Sequence, residues 1–289
     1  MNYKLIKLIN KLIKDEKLIN INVLGKTRNR KILKIKTNNN NYILKFFTKP
    51  MLHKPIEAEK KNLIYFKNKN INFFPNVFNY SNEYLLLEYI DNDGIRSKVV
   101  QQDFIEKLIK IHSFTADKYG FDFVTNIGSS KQINTFNTNW IDFFINQRFI
   151  ITFEQINKKN PMPRNINIGI EKVIKQIHNF LPKNPPSKLL HGDIWPGNIL
   201  YKNQKVVSFI DPGSLYGHAE MEIAYLKWMD NKYFNDRFLD QYSDINKIEK
   251  NEYFSYEFIY QIYFSLININ TWNRAYIKDL NNMLKNIRL

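Results

Sequence analysis

The run His191-Gly192-Asp193-Ile194-Trp195-Pro196-Gly197-Asn198 constrains this chain more than any other segment. It is followed by two short β-patterned stretches, with Lys202-Asn203-Gln204 at the turn between them, and then by Asp211. A hairpin brings the chain back to where it left. An acid at the end of the second strand therefore lies beside the loop that precedes the first, and Asp193, Asn198 and Asp211 converge at one edge. Gly192, Pro196 and Gly197 suit a loop with unusual backbone angles. An Asx-rich turn followed by a strand-end acid is common, but the full spacing is far more specific. Phosphoryl transfer requires such a set: one carboxylate orients the acceptor hydroxyl and takes its proton, while an Asn and a second Asp hold Mg²⁺ on the phosphates. Hard oxygen ligands are what Mg²⁺ prefers.

The chain has 289 residues, enough for two domains or one bilobed unit with a sizeable core. Hydrophobic residues at 44% and aromatics at 15% exclude intrinsic disorder. There is no Cys, which removes disulfide frameworks, thiolate metal sites and thiol catalysis. Lys and Arg total 43 against 27 acids, a formal charge of +16. That excess invites a nucleic-acid reading. Its scatter along the chain, with abundant Asn, Ile, Phe and Tyr, instead reads as compositional drift in an AT-rich genome. No nucleic-acid partner is expected. No apolar run reaches the roughly 20 residues of a spanning helix, and the Lys-broken N-terminus lacks the pattern of a signal peptide. Leu5, Ile6, Leu8, Ile9, Leu12 and Ile13 recur at helical spacing and predict a first helix with its apolar face on the core. No membrane partner is expected, and the expected location is the cytoplasm.

Strand-like stretches from about Ile21 to Ile90 (INVLGK, KILKIKT, YILKFF, VFNY, YLLLEYI) surround one helical pattern from Pro55 to about Asn68. Helical patterns dominate from about Lys98 onward, apart from the hairpin. The expected fold is α+β and bilobed: residues 1–90 form a small antiparallel-sheet lobe with one helix that binds nucleotide, and residues 91–289 form a larger, mainly helical lobe with the catalytic loop and acceptor site. Lys45 lies inside an apolar strand, where a cation needs a partner. Glu59 in the following helix is preferred to Glu57, because Leu63 and Phe66 share its inward face. A strand Lys paired to a helix Glu on the α/β-phosphates is the protein-kinase arrangement. YLLLEYI then leads into Asp91-Asn92-Asp93, which suits a hinge whose backbone near Glu88, Tyr89 and Ile90 could bond an adenine. A core strand running into a loop fits the same residues equally. Gly25-Lys26-Thr27 lacks the earlier Gly of a P-loop, so Lys26, Arg28 and Arg30 would supply positive charge to the phosphates. Glu222 should anchor backbone amides of the catalytic loop, His191 should brace that loop, and His112 reads as a packing residue.

H-G-D-x-x-x-x-N followed by Asp resembles the kinase-like phosphotransferases, which include aminoglycoside and choline kinases. Tyr119-Gly120-Phe121-Asp122-Phe123-Val124-Thr125, then Gly128, Gln132 and Asn134, then Trp140, Phe143, Phe144, Gln147 and Arg148, narrow the match, as do HGDIWPGNIL and IDPGSLYGHAEMEIA. Together they resemble the fructosamine kinase (ketosamine kinase) family over about residues 40 to 275. The resemblance implies a protein-kinase-like fold and transfer of the ATP γ-phosphate to a sugar hydroxyl of a fructosamine or ribulosamine, free or protein-bound. The product decomposes and frees the amine, which amounts to deglycation. It implies Asp193 as catalytic base, Asn198 and Asp211 as Mg²⁺ ligands, and Lys45 with Glu59 as the phosphate-binding pair. Trp195 could stack on a sugar face, and Tyr216, His218 and Glu220 could line the acceptor pocket or brace the loop. The chain departs from the family at its Gly-poor phosphate loop, at Asn268 where the family favours His, and at Asn273-Arg274 where it favours Gly. The alternatives are a kinase for another small hydroxylated amine and a non-catalytic basic relative. For a choline-type acceptor, Trp195, Tyr216 and Trp228 would form the cage.

Overall fold

The computed structural model of the chain describes residues 3–27, 29–48, 55–95 and 100–286. The first elements are α1 (Tyr3–Ile13), β1 (Leu18–Lys26), β2 (Arg30–Thr37), β3 (Asn41–Phe47), α2 (Pro55–Asn68), β4 (Val77–Tyr80) and β5 (Tyr84–Glu88). The five strands form one antiparallel sheet in the order β1-β2-β3-β5-β4. Alternation along the strands sorts the side chains onto two faces. Leu33, Ile35, Leu44 and Leu86 face α1, whose Leu5, Ile9 and Ile13 close a small core of their own. Ile43, Phe47, Leu85 and Leu87 belong to the main core with Ile56, Leu63 and Phe66 of α2. Lys45 is in step with Ile43 and Phe47, so it must share that second face. α1 thus adds a second helix to the one expected between the strands, with its apolar stripe inward as its spacing predicts. Arg28 and Lys98 lie outside the described residues.

The larger lobe runs through α3 (Val100–His112), the short hairpin β6 (Thr125–Ile127) and β7 (Ser130–Gln132), α4 (Trp140–Phe144), α5 (Ile150–Lys159) and α6 (Arg164–Gln176). It continues through β8 (Ser187–Leu190), β9 (Ile199–Lys202), β10 (Lys205–Phe209), β11 (Leu215–His218), α7 (Glu220–Met229), α8 (Asp236–Asn246), α9 (Lys250–Thr271) and α10 (Ile277–Asn286). α9 is buried on nearly all sides, hence its lack of a polar stripe. Its Tyr260 and Tyr263 meet Phe144 edge to face at ring centroids 5.3 Å apart. The expected hairpin is β9–β10, with Asn203 and Gln204 both at positive φ in its turn. The β-structure is wider than expected, because β8 pairs with β11. Four residues containing a Gly show no period of their own, and only the pairing makes Leu215–His218 a strand. One continuous core spans both lobes, from Phe47 and Leu85 to Leu280 and Met283.

Candidate active site

The hairpin positions the site by register. Ile199 pairs with Phe209, and Ile210 N donates to Asn198 O at 3.0 Å. The residue after Ile210 is therefore held beside Asn198. That residue is Asp211, whose φ of 56° is left-handed, a conformation that short polar side chains tolerate better than most. On the loop, Asn198 Nδ2 donates to Asp193 O at 2.8 Å and lies 3.4 Å from Asp193 Oδ2. Those contacts commit the amide nitrogen inward and leave the Asn198 carbonyl oxygen for a ligand. Gly192 has φ 84°, and a Cβ there would sit 2.1 Å from Gly213 O, so no other residue fits where the loop passes the segment after β10. Gly197 is required for a different reason: a Cβ would meet the Trp195 indole at 2.2 Å.

Across the cleft, Lys45 Nζ donates to Glu59 Oε1 at 2.6 Å and also pairs with Asp211. Lys45 is only 4% exposed. Burial works against its charge, but the two carboxylates hold its pKa above the ordinary lysine value. Burial would likewise raise the Asp211 carboxyl, and the Lys45 ammonium overrides it and keeps Asp211 below its usual range. Asp193 has no such cation. Burial, followed by the charge of Asp211, pushes its pKa well above that of an ordinary carboxylate, against the pull of Asn198. A raised carboxylate facing a paired one is the pattern of a base set beside an ion site. Glu57, the rival partner, makes an exposed i,i+4 pair with Lys61 at 3.0 Å instead.

The His191–Asn198 loop is braced from below. Glu222 in the first turn of α7 is 1% exposed. Its Oε1 accepts from Gly192 N at 2.6 Å, and its Oε2 accepts from His191 N at 3.2 Å, which is the anchoring expected from its position. His112 is buried, as a packing residue should be, and it also bonds: its Nε2 lies 2.9 Å from Glu222 Oε2 and its Nδ1 2.7 Å from the Tyr242 hydroxyl. Sequence reasoning could not see this, since α3 meets α7 only in the tertiary fold. His191 bridges the loop to Ile210: its Nε2 donates to Ile210 O at 3.0 Å, and its Nδ1 accepts from Asp193 N at 3.2 Å. That geometry demands the neutral ring, and burial accordingly lowers its pKa to about 4 despite the nearby Glu222 charge.

The His191 shift predicts a pH dependence of stability. The unfolded chain takes up this proton near pH 6.5, whereas the folded one resists until pH about 4. The unfolded state therefore binds more protons in that window, and stability falls as pH drops through it. Between pH 7 and 4.5 the wild type should lose about 2 kcal/mol more than His191→Gln, measured by urea unfolding. Equal slopes in the two proteins would refute the assignment.

Three cavities meet here. One, of about 160 Å³, is walled by Leu24, Ile32, Ile43, Leu87, Leu200 and Ile210, with Lys45, Glu88, Tyr89 and Ile90 at its rim. Its walls are mostly apolar, as a purine requires, and the expected hinge residues lie in it. The second holds Asp193, Asn198, Asp211, Glu59, Arg30 and Trp195. Arg30 thus stands in the cleft, while Lys26 is exposed. This cavity also contains Asn126 of β6, whose two side-chain polar atoms are buried with no hydrogen-bond partner. Asn126 is a site candidate that the sequence reading missed. Its only signal was its place inside the Tyr119–Asn134 motif. The third cavity, of about 570 Å³, lies beyond Trp195.

Tyr216, His218 and Glu220 do not line these cavities. The Tyr216 hydroxyl lies 3.0 Å from that of Tyr65. His218 lies 2.7 Å from the Tyr260 hydroxyl through Nδ1 and 2.5 Å from Glu220 through Nε2. Trp140 Nε1 donates to Tyr260 at 2.9 Å, so the cluster ties β11 and α7 to α4 and α9 behind the site. Burial would raise Glu220, but the His218 charge and hydrogen bond hold it down to about 2. The cage of Trp195, Tyr216 and Trp228 does not form either. Trp228 packs edge-on against Tyr276 at 5.6 Å, outside the lining of these cavities.

Three comparisons place this geometry. A candidate ketoamine kinase from Enterococcus faecium is 31% identical over 207 residues, which is 70% of this chain and 71% of the relative. A ketosamine-3-kinase from Mus musculus is 29% identical over 172 residues, 59% of this chain and 54% of that one. The crystal structure of a candidate fructosamine-3-kinase from Thermobifida fusca is similar in fold, with a TM-score of 0.82, 20% identity and 96% of each chain covered. The profile of the family described as fructosamine kinase matches residues 4–289. The chain is an α+β, kinase-fold phosphotransferase and belongs to the fructosamine kinase family.

Proposed function

We propose that the protein transfers the γ-phosphate of ATP to a sugar hydroxyl of a ketosamine. The convergence of Asp193, Asn198, Asp211 and Lys45 in one cleft, open to an apolar cavity on one side and an aromatic one on the other, carries this reading. The name of the murine relative supports the choice of acceptor. Residues 1–90 hold the nucleotide, with adenine against Glu88, Tyr89 and Ile90 and the phosphates at Lys45, which Glu59 aims. Residues 91–289 supply the catalytic loop and the acceptor.

Asp193 accepts the proton of the attacking hydroxyl. That oxygen bonds to the γ-phosphorus as the bond to the β-phosphate oxygen breaks, and ADP leaves. The oxygen donors Asn198 and Asp211 suit Mg²⁺, which takes few protein ligands and completes its shell with water and phosphate. When bound, that ion neutralises phosphate charge. Decomposition of the phosphorylated ketosamine then releases the amine, so the reaction amounts to deglycation of amines or proteins. Among the described residues no helix is long and apolar enough to cross a membrane, and a cytoplasmic site of action fits this reading.

The test is ADP release from Mg·ATP by the pure protein with ribulosyl-lysine, fructosyl-lysine, choline and an aminoglycoside. Turnover confined to the ketosamines is expected. Turnover of choline or the aminoglycoside alone would overturn the proposal. Asp211→Asn should raise the KM for Mg·ATP by at least tenfold, because it removes one of two protein oxygens at the ion.

A further inference from the structure

The third cavity has a composition that the phosphoryl-transfer chemistry does not use. Its walls are Trp195, Tyr225, Met229, Trp272 and Tyr276, with Asn268, Asn273 and Asp279 between them. Among the described residues no Lys or Arg lines it, although Lys and Arg outnumber acids 43 to 27 in the chain. Asp279, in the first turn of α10, forms no ion pair with any described residue. Asn268 spends its amide nitrogen on Phe264 O at 3.0 Å and on the Tyr225 hydroxyl at 3.4 Å, which leaves its oxygen as the unused group. Asn273 caps Ala275 N with its own oxygen at 2.9 Å. The aromatic faces, the Asp279 carboxylate and the spare Asn268 oxygen all attract a cation with N–H donors, and no described lining residue carries a positive charge to hold an anion.

Position assigns the ligand. Trp195 and Trp272 line both this cavity and the one that holds Asp193 and Asp211, and their rings meet at 6.3 Å and 62°. A sugar whose hydroxyl reaches Asp193 therefore extends past these two indoles into the third cavity. The atoms of a ketosamine next to its sugar are the amine, protonated near neutral pH, and then the carrier that bears it. Asn268 and Asn273, two of the positions at which the chain departs from the family pattern, both line this cavity.

We propose that the cavity bounded by Trp195, Trp272, Tyr276 and Asp279 is the subsite for the protonated amine and its carrier, and that it selects cationic amine acceptors by charge. This rests on the ketosamine reading above. Trp272 is 58% exposed at the mouth, so the subsite opens to solvent and admits a carrier of side-chain size whose far end remains outside.

Two acceptors test it: a ketosamine with a secondary amine, and the same sugar with an ether oxygen in place of that nitrogen. Both are assayed by ADP release with wild type, Asp279→Asn and Asp279→Glu. The wild type should favour the amine. Asp279→Asn should shrink that preference about five- to tenfold, mainly through the KM for the amine, and Asp279→Glu should restore most of it. If Asp279→Asn changes both acceptors equally or neither, Asp279 does not sense the charge and the assignment falls. If the wild type turns over neither, the ketosamine reading fails and takes the assignment with it.

Discussion

Asp193→Asn should lower turnover on a ketosamine by about 10³ while raising the thermal midpoint by about 2–4 °C. The two effects have one cause. The Asp193 carboxylate is 7% exposed and faces Asp211, and both burial and that charge push its pKa well up. A base in this setting is costly to keep ionised, and an isosteric amide removes the penalty along with the proton acceptor. The Asn198 Nδ2 contact to Asp193 O is to the backbone and survives the change, so Mg·ATP should still produce a thermal shift. Loss of turnover together with loss of stability would mean that Asp193 is a structural residue. Retained turnover would mean that another group takes the proton.

Glu222→Ala should destabilise the protein by about 3–5 kcal/mol, and the residual fold should lose activity at saturating substrate. Glu222 accepts from two backbone amides of the catalytic loop and contacts His112. Removing it strands buried N–H groups at Gly192 and His191. Glu222→Gln retains one carbonyl oxygen and should recover about half of the stability. Urea unfolding of the three proteins measures this, and a loss below 1 kcal/mol for Glu222→Ala would show that the loop holds its shape unaided. The same series separates bracing from chemistry, because Glu222→Gln leaves Asp193 untouched.

How far the sequence reached is visible in particular residues. The face occupied by Lys45 followed from strand alternation, because a period of two leaves no choice once Ile43 and Phe47 are core. The preference for Glu59 over Glu57 followed from helical spacing with Leu63 and Phe66. The meeting of Asp193, Asn198 and Asp211 followed from a hairpin short enough to have one return path. The anchoring by Glu222 was expected because it opens a helix just after the site. Each is a local relation in which a few residues set the geometry.

What the sequence could not supply depends on elements that are distant in the chain and meet only when packed. Position shortly after Asp211 leaves Tyr216, His218 and Glu220 either lining the acceptor pocket or bracing the loop, and the pairing of β11 with β8 turns His218 and Glu220 toward Tyr260 and α9. The bond from His112 to Glu222 exists only because α3 rests against α7. Asn126 reaches the cleft only because its hairpin packs against Gly213 just past Asp211, and Asp279 shares a cavity with Trp195 only because α10 packs on α9. Short spacing along one loop and one hairpin is enough to bring Asp193, Asn198 and Asp211 together. The walls of the acceptor site are set by long-range closure, whose partners no local pattern identifies, and there only the tertiary structure decided.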